Sequence, residues 1–243
     1  MKKLTLSLAA LALGATAASA DVVRMGTEGA YPPFNFVNEA GELVGFEIDL
    51  GNELCARAEL TCEWVQTDWD GIIPNLVAGN YDTIIAGMNQ TEARAAVISF
   101  TQPYKRPDPS AYMALAGTDP SVIEDGVIAA QANTVQSGMV AETDATLIEF
   151  PTPDETISAV RTGVADAVLA DRDFLMTYYR DADGEFEMLA TVMPPGLGVS
   201  MGIRQSDDDL RAAFNAAIDS MKADGSLNAL LVEWFGDDVP LFE

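Results

Sequence analysis

The 243-residue sequence predicts an α/β fold of two lobes, each with a largely parallel sheet. Three observations lead to this class. Short β-rich runs alternate with segments of helical periodicity, which is typical of parallel sheets. The 223 residues that follow the first 20 suit two lobes of about 100 residues. Proline-rich breaks at 106–110 and 193–198 bracket the middle third of the chain, as expected of a segment inserted between two crossings of one hinge.

The first part of the chain supplies three predicted strands and three predicted helices. One helix carries Phe46, Leu50, Leu54 and Ala58 at four-residue spacing, which forms one apolar stripe. Asp68 or Asp70 is expected to begin the next helix, which ends at Gly79. In order, the predictions are strand 22–27, helix 45–58, strand 62–66, helix 68–79, strand 81–88 and helix 91–98.

The alternation resumes after the first proline-rich break. The last two predicted helices of the chain carry apolar stripes. The first stripe consists of Leu210, Phe214, Ala217 and Met221, and the second of Leu227, Leu230, Leu231 and Trp234. The predicted strands are 110–117, 126–131, 146–150, 165–170 and 198–204, and the predicted helices are 136–142, 153–163, 172–180, 208–225 and 226–236. We place the first lobe at 21–109 and 200–243 and the second at 110–199, with hinge strands near 110–112 and 199–200.

The N-terminus has the pattern of a cleavable export signal at residues 1–20. Lys2 and Lys3 precede an apolar run, and a small-residue cleavage site ends at Ala20. A membrane anchor is the alternative, although serine, threonine and glycine interrupt the run. Removal of this segment takes away two lysines and no acids, which moves the formal net charge from −25 to −27. Such acidity excludes nucleic acid and anionic membranes as expected partners, since phosphate contacts need clustered Lys and Arg.

The chain contains no histidine, which excludes Ser-His-Asp and Cys-His catalysis and His-ligated zinc. We expect no metal and no cofactor. Cys55 and Cys62 are the only cysteines, and in an oxidising compartment a close pair predicts a disulfide, with free thiols as the alternative. A loop this short gives a chain-entropy stabilisation of about 2.4 kcal/mol.

Ligands of open α/β sheets bind beyond the carboxyl ends of the strands. The candidate segments are 27–34, 86–91, 130–136 and 170–174. Together with GELVGFEIDLGNELC, WDGIIPNLVAGNYDTIIAGM and ADGSLNALLVEWFG, these segments resemble the family 3 extracytoplasmic solute-binding proteins that deliver amino acids to ABC transporters. VGFEIDL and the Cys-x6-Cys pair are especially similar to the lysine/arginine/ornithine, histidine, octopine and nopaline binders. The resemblance covers essentially the whole mature chain and implies the type II periplasmic-binding-protein fold with a two-stranded hinge.

The resemblance implies that Arg94 holds the ligand's carboxylate and that Asp171 holds its α-ammonium group. A guanidinium offers two parallel donors to a carboxylate, and a helix start adds free N–H groups. For Arg94 the alternative is a solvated helix residue, and Asp171 could also cap the following helix.

The resemblance further implies backbone N–H donors at Gln131, Thr134 and Val135. This loop has Asn133 where glycine is usual, and asparagine tolerates the left-handed conformation. At 86–89, Ala86, Gly87 and Asn89 stand where many relatives have hydroxyl residues, so Gly87 is expected to offer its carbonyl and Asn89 its side-chain oxygen.

By the same matching, Glu28, Tyr31 and Trp69 form the side-chain pocket. Tyr31 and Trp69 would be flat walls, with a cation over an indole contributing about 0.5–2 kcal/mol. Glu28 stands where binders of basic amino acids carry an acid. The alternative for Glu28 is a solvated loop acid, and the alternative for Tyr31 and Trp69 is that they are only core aromatic residues.

The sequence therefore predicts a periplasmic, monomeric binding component of an ABC transporter and not an enzyme. Its expected partners are an inner-membrane permease and a polar, basic amino acid (arginine, lysine, ornithine or histidine) or an opine; a polar neutral amino acid stays open. An enzyme similar to cyclohexadienyl dehydratase on the same scaffold is the alternative function.

Overall fold

The structure is a computed structural model that describes residues 22–243. The predicted export signal at residues 1–20 lies outside the described residues. Within the described part, no helix combines the length and the apolar character that a membrane span requires.

The described chain contains thirteen strands. In chain order they are β1 (Val23–Thr27), β2 (Ala30–Tyr31), β3 (Asn35–Val37), β4 (Leu43–Val44), β5 (Cys62–Gln66), β6 (Thr83–Ile84), β7 (Ser99–Phe100), β8 (Ser110–Leu115), β9 (Val127–Gln131), β10 (Thr146–Phe150), β11 (Ala167–Asp171), β12 (Phe186–Val192) and β13 (Gly202–Ile203).

Nine α-helices accompany these strands between residues 22 and 243. They are α1 (Phe46–Arg57), α2 (Ile72–Val77), α3 (Glu92–Ala95), α4 (Val122–Asp125), α5 (Val135–Ala141), α6 (Pro153–Arg161), α7 (Arg172–Asp181), α8 (Asp208–Asp224) and α9 (Ser226–Phe235). A 3₁₀ turn at Trp69–Gly71 precedes α2.

Two five-stranded sheets form the two lobes, with the orders β5-β1-β6-β13-β7 and β10-β9-β11-β8-β12. The predicted two-lobed α/β fold is therefore confirmed. The sheets are mixed rather than largely parallel, because each has two parallel and two antiparallel pairings. β8 and β13 are the strands through which the chain enters each sheet from the other lobe. They arrive without a helical crossover, so they run against their neighbours.

Both faces of each sheet are covered by a layer whose apolar side chains are buried against it. In the first lobe the predicted stripes of α1, α8 and α9 form one core, with Phe46, Leu50, Phe214 and Leu227 fully buried. The other face of that sheet is covered through Ile72, Leu76 and Ile98. In the second lobe the two faces have separate clusters, around Phe174 and around Leu169.

The crossing between the lobes lies slightly outside the predicted hinge strands. Ser110 pairs with both Asp171 and Val192, so the strand that begins there is fixed on both sides within the second sheet. Val199 forms bridges with Asn89 and Lys105 of the first lobe. Leu197 and Gly198 also exchange backbone hydrogen bonds with Gln90 of the first lobe, so the chain crosses at residues 106–109 and 193–196. The lobe boundaries given above stay a prediction.

Several elements differ from the sequence prediction. The small sheet β2-β3-β4, strands β7 and β12, and helix α4 were not predicted. The helix predicted at 91–98 is only four residues long, because Ser99 and Phe100 leave it to pair with β13. The predicted disulfide is present, with the Cα atoms of Cys55 and Cys62 6.3 Å apart.

Candidate functional site

A cavity lies between the lobes at the ends of the strands. Its lining contains all eleven predicted residues and one more, Gln136: Glu28, Tyr31, Trp69, Ala86, Gly87, Asn89, Arg94, Gln131, Thr134, Val135, Gln136 and Asp171. Ligand contact by these residues stays a prediction.

Arg94 lies in the first turn of α3, where its backbone N–H donates to the side chain of Thr91 at 3.3 Å. Its guanidinium lies 5.3 Å from the centroid of the Trp69 ring and donates to the carbonyl of Asn89 at 2.9 Å and to that of Asn133 at 3.2 Å. Burial lowers the pKa of Arg94 to about 10, against the opposite effect of Asp171, so the group stays charged at neutral pH. These two hydrogen bonds use two of the five N–H donors of the guanidinium, so other donors remain for a ligand carboxylate.

Asp171 ends β11 on the opposite side of the cavity. The Tyr31 hydroxyl donates to one carboxylate oxygen at 3.0 Å, and the Gln136 amide donates to the other at 3.0 Å. Burial raises the pKa of Asp171 to about 6, against the lowering effects of the Tyr31 hydrogen bond and of Lys105. No side-chain capping bond to α7 is formed, so the alternative role as a helix cap is not seen.

Glu28 directly follows β1 and is 8% exposed, so the alternative of a solvated loop acid is not met. Its carboxylate accepts a hydrogen bond of 2.7 Å from the Gln131 amide of the second lobe. Burial raises the pKa of Glu28 to about 7; the Gln131 hydrogen bond lowers it, and nearby Asp68, Asp70 and Asp154 raise it further. A cation placed beside Glu28 would offset the cost of desolvation and favour the ionised carboxylate.

Tyr31 and Trp69 line the cavity as expected of flat walls. Tyr31 stacks on Phe174 of the second lobe with ring centroids 4.5 Å apart and an interplanar angle of 10°. The indole N–H of Trp69 is buried without a hydrogen-bond partner among the described residues. Both rings also contribute to the hydrophobic cores. Tyr31 packs against one buried cluster of each lobe, and Trp69 belongs to a cluster of the first lobe.

A buried carboxylate, Glu47 of α1, supports two of the strand-end segments. It accepts hydrogen bonds from the backbone N–H of Gly87 at 2.7 Å, from the Asn35 amide at 2.7 Å and from the Tyr104 hydroxyl. Asn35 in turn accepts from the N–H of Gly29 at 2.7 Å. The segments that carry Glu28 and Asn89 are therefore held in place by one hydrogen-bonded network.

The loop before α5 has the predicted left-handed residue, because Asn133 has a φ of 58°. Thr134 caps the helix by accepting from the N–H of Ser137 at 3.1 Å, and its hydroxyl donates to the carbonyl of Gln131 at 2.7 Å. The first N–H groups of a helix have no partner within the helix, so those at Val135 remain available to a ligand.

Contacts across the cavity hold the two lobes together. Besides Tyr31–Asp171 and Gln131–Glu28, the amide of Asn133 donates to Asp70 at 3.1 Å. These bonds close the cleft over the cavity. No group of His, Cys, Asp and Glu side chains among residues 22–243 is arranged to hold a metal ion.

Sequence reasoning missed Gln136 and Glu47. The amide of Gln136 reaches both Asp171 and Ser110, which depends on the side chain's direction within a folded lobe and leaves no local signal. Glu47 offered a signal, because it stands three residues before Leu50 and seven before Leu54, a spacing that places an acid on the buried side of α1.

Comparison with known proteins gives a consistent result over the whole described chain. Residues 23–237 match the model of the bacterial extracellular solute-binding proteins, family 3. The L-arginine-binding protein of Pseudomonas aeruginosa is 32% identical over 98% of both chains, and the lysine/arginine/ornithine-binding periplasmic protein of Escherichia coli is 30% identical over 98% of this chain and 99% of that one.

A solved structure is closer in sequence. It is a periplasmic His/Glu/Gln/Arg/opine family-binding protein from Silicibacter pomeroyi in complex with lysine, 58% identical, with a TM-score of 0.86 over 90% of this chain and 100% of that chain. These relatives are binding proteins and not enzymes, as predicted for this chain. The chain belongs to the bacterial extracellular solute-binding proteins of family 3.

Proposed function

We propose that this protein is the periplasmic receptor of an ABC transporter for amino acids with a positively charged side chain. The observation that carries the proposal is the charge pattern of one closed cavity: one guanidinium, Arg94, and two separate carboxylates, Glu28 and Asp171. A basic amino acid has the complementary set, namely one carboxylate and two cations.

Each charge has a place in this proposal. Arg94 binds the ligand's carboxylate, with support from N–H groups at Thr134 and Val135. Asp171 accepts from the α-ammonium group, and Gly87 and Asn89 contribute oxygen acceptors beside it. The aliphatic part of the ligand lies between Tyr31 and Trp69.

Glu28 receives the distal cation, which favours arginine, lysine, ornithine, histidine or an opine over a neutral amino acid. The relatives support this class, because two are named for arginine or for lysine, arginine and ornithine, and the solved one holds lysine. Closure of two lobes over a ligand is a hinge motion, and the closed protein then delivers its ligand to an inner-membrane permease.

A ligand screen by thermal unfolding tests the proposal. Arginine, lysine, ornithine, histidine, octopine and nopaline are compared with citrulline and glutamine on the purified chain without residues 1–20. A ligand at 100 times its Kd stabilises the protein by about 2.7 kcal/mol. At equal concentrations, at least one cationic ligand is expected to stabilise the protein more than citrulline or glutamine does. Equal stabilisation by citrulline and arginine would contradict the assignment of Glu28, and no stabilisation by any of them would contradict the proposal.

A further inference from the structure

Lys105 is a buried lysine at the point where the chain crosses between the lobes. It is 1% exposed, and its backbone pairs with Val199, which follows the other crossing segment. Its ammonium group forms ion pairs with Asp108 at 2.7 Å and with Asp173 at 3.0 Å. The rings of Phe34 and Phe235 lie 5.9 and 4.9 Å from the ammonium nitrogen.

These contacts connect three parts of the protein. Phe34 and Phe235 belong to the first lobe, Asp108 belongs to the crossing segment, and Asp173 lies in the first turn of α7 in the second lobe. Two carboxylates and two aromatic faces are a favourable environment for a cation. Burial would lower the pKa of Lys105, but Asp173 and Asp108 outweigh this effect and raise it, so the ammonium group is charged.

The Lys105 cluster lies directly behind Asp171, the proposed acceptor of the ligand's α-ammonium group. Asp171 and Asp173 are separated by one residue, and both line a small cavity with Lys105 next to the binding cavity. The N–H of Arg172 donates to the carbonyl of Pro109 at 3.1 Å, which fixes the start of α7 on the crossing segment.

We propose that Lys105 is a positioning residue for ligand binding, which ties the start of α7 to the crossing segment and keeps Asp171 ionised for the ligand's α-ammonium group. The role of Asp171 rests on the proposed function. Lys105 acts through Asp171 and Asp173 and does not line the binding cavity.

Asp171 is surrounded by charges of both signs, so the sign of each contribution matters. Lys105 lowers its pKa, whereas Asp173 and Asp108 raise it. The other titratable or charged groups that interact with Asp171 are Tyr31, Arg94 and Glu47. Loss of the Lys105 charge therefore disfavours ionised Asp171, and loss of the Asp173 charge favours it.

This sign difference gives a test with a matched pair of variants, Lys105→Met and Asp173→Asn. Both break the same ion pair, but they change the charge near Asp171 in opposite directions. The pKa of Asp171 is measured in the ligand-free protein by ¹³C NMR of aspartate carboxyl groups, with the Asp171→Asn variant to assign the signal. We expect the pKa to rise by about 0.5 or more in K105M and to fall by about 0.5 or more in D173N. Circular dichroism checks that each variant is folded.

Arginine affinity at pH 6 and pH 8 supplies the second readout. The ratio of the Kd at pH 6 to the Kd at pH 8 is expected to be larger in K105M and smaller in D173N than in the unmodified protein. Ratios that stay unchanged in both variants, or affinity lost equally at both pH values, would show a purely structural role and overturn the proposal. If K105M does not fold, D173N alone decides by the direction of its shift. Opposite NMR shifts in a protein that binds none of arginine, lysine, ornithine, histidine, octopine and nopaline would support the role of Lys105 and contradict the proposed function.

Discussion

The affinity for a cationic amino acid is expected to depend on pH through Glu28. Its pKa of about 7 in the ligand-free cavity results first from burial. A ligand cation beside the carboxylate favours the ionised form and lowers that pKa. Binding therefore releases a proton from Glu28, and lowering the pH through 7 weakens binding.

The size of this effect follows from the ionised fractions. At a pKa of about 7, Glu28 is ionised in about 91% of molecules at pH 8 and in about 9% at pH 6. Affinity that requires the ionised form falls about tenfold, which corresponds to about 1.4 kcal/mol. Asp171, with a pKa of about 6, is half ionised at pH 6 and adds about a further factor of two. The total expected loss for arginine is about 20-fold.

Isothermal titration calorimetry at pH 8, 7 and 6 measures this loss. Buffers with different ionisation enthalpies report the released proton directly, which should be about half a proton from Glu28 at pH 7. Citrulline has the length of arginine without its charge, so its affinity should fall only about twofold, through Asp171. The Glu28→Gln variant should show the same twofold dependence with arginine. The reasoning is refuted if arginine loses no more affinity than citrulline, or if E28Q keeps the 20-fold dependence.

Three further changes test the site and its frame. Arg94→Ala should weaken arginine binding by at least about 100-fold in calorimetry, because a buried charge pair is lost, with a melting curve close to that of the unmodified protein; unchanged affinity would contradict the assignment. Trp69→Ala should weaken arginine binding by about 2- to 30-fold, because the indole contacts the guanidinium of Arg94 and would also pack on the ligand's side chain, whereas an unchanged Kd would make Trp69 a core residue only. The double variant Cys55→Ser/Cys62→Ser should lower the free energy of unfolding in urea by about 2 kcal/mol without a change in Kd, since the pair lies outside the cavity; a large change in Kd would show that the disulfide shapes the site.

The residues predicted for the candidate site come together in one cavity, whereas the predicted sheets differ from the observed ones. Glu28 directly follows β1, Asp171 ends β11, and Asn89 lies five residues after β6. A position at or after a strand end is a local property that brings a residue to one edge of a sheet. The apolar stripe of α1 could also be predicted from the sequence, and its residues Phe46, Leu50 and Leu54 are fully buried in the structure.

What escaped prediction depends on the fold as a whole. Strands β2 and β4 have two residues each, too few for an alternating pattern, and exist because neighbouring strands supply their hydrogen bonds. The mixed sheets follow from the chain crossing twice between lobes. Lys105 gave no signal in the sequence, because its two carboxylate partners come from different segments and meet only in the folded protein.

The acidity of the whole chain and the selectivity of the cavity have different physical origins. At physiological ionic strength the Debye length is about 8 Å, so most of the 38 acidic residues are screened from a ligand in the cavity. The carboxylates that raise the pKa of Glu28 most are nearby ones, namely Asp68, Asp70 and Asp154. They raise its pKa and so oppose its ionisation in the empty cavity, but they also make the site more attractive to a cation once it enters. A neutral ligand would leave Glu28 buried beside these acids without compensation. The preference for a positive side chain that we propose would therefore come from these few buried or neighbouring carboxylates, and it would persist on a chain with a much less acidic surface.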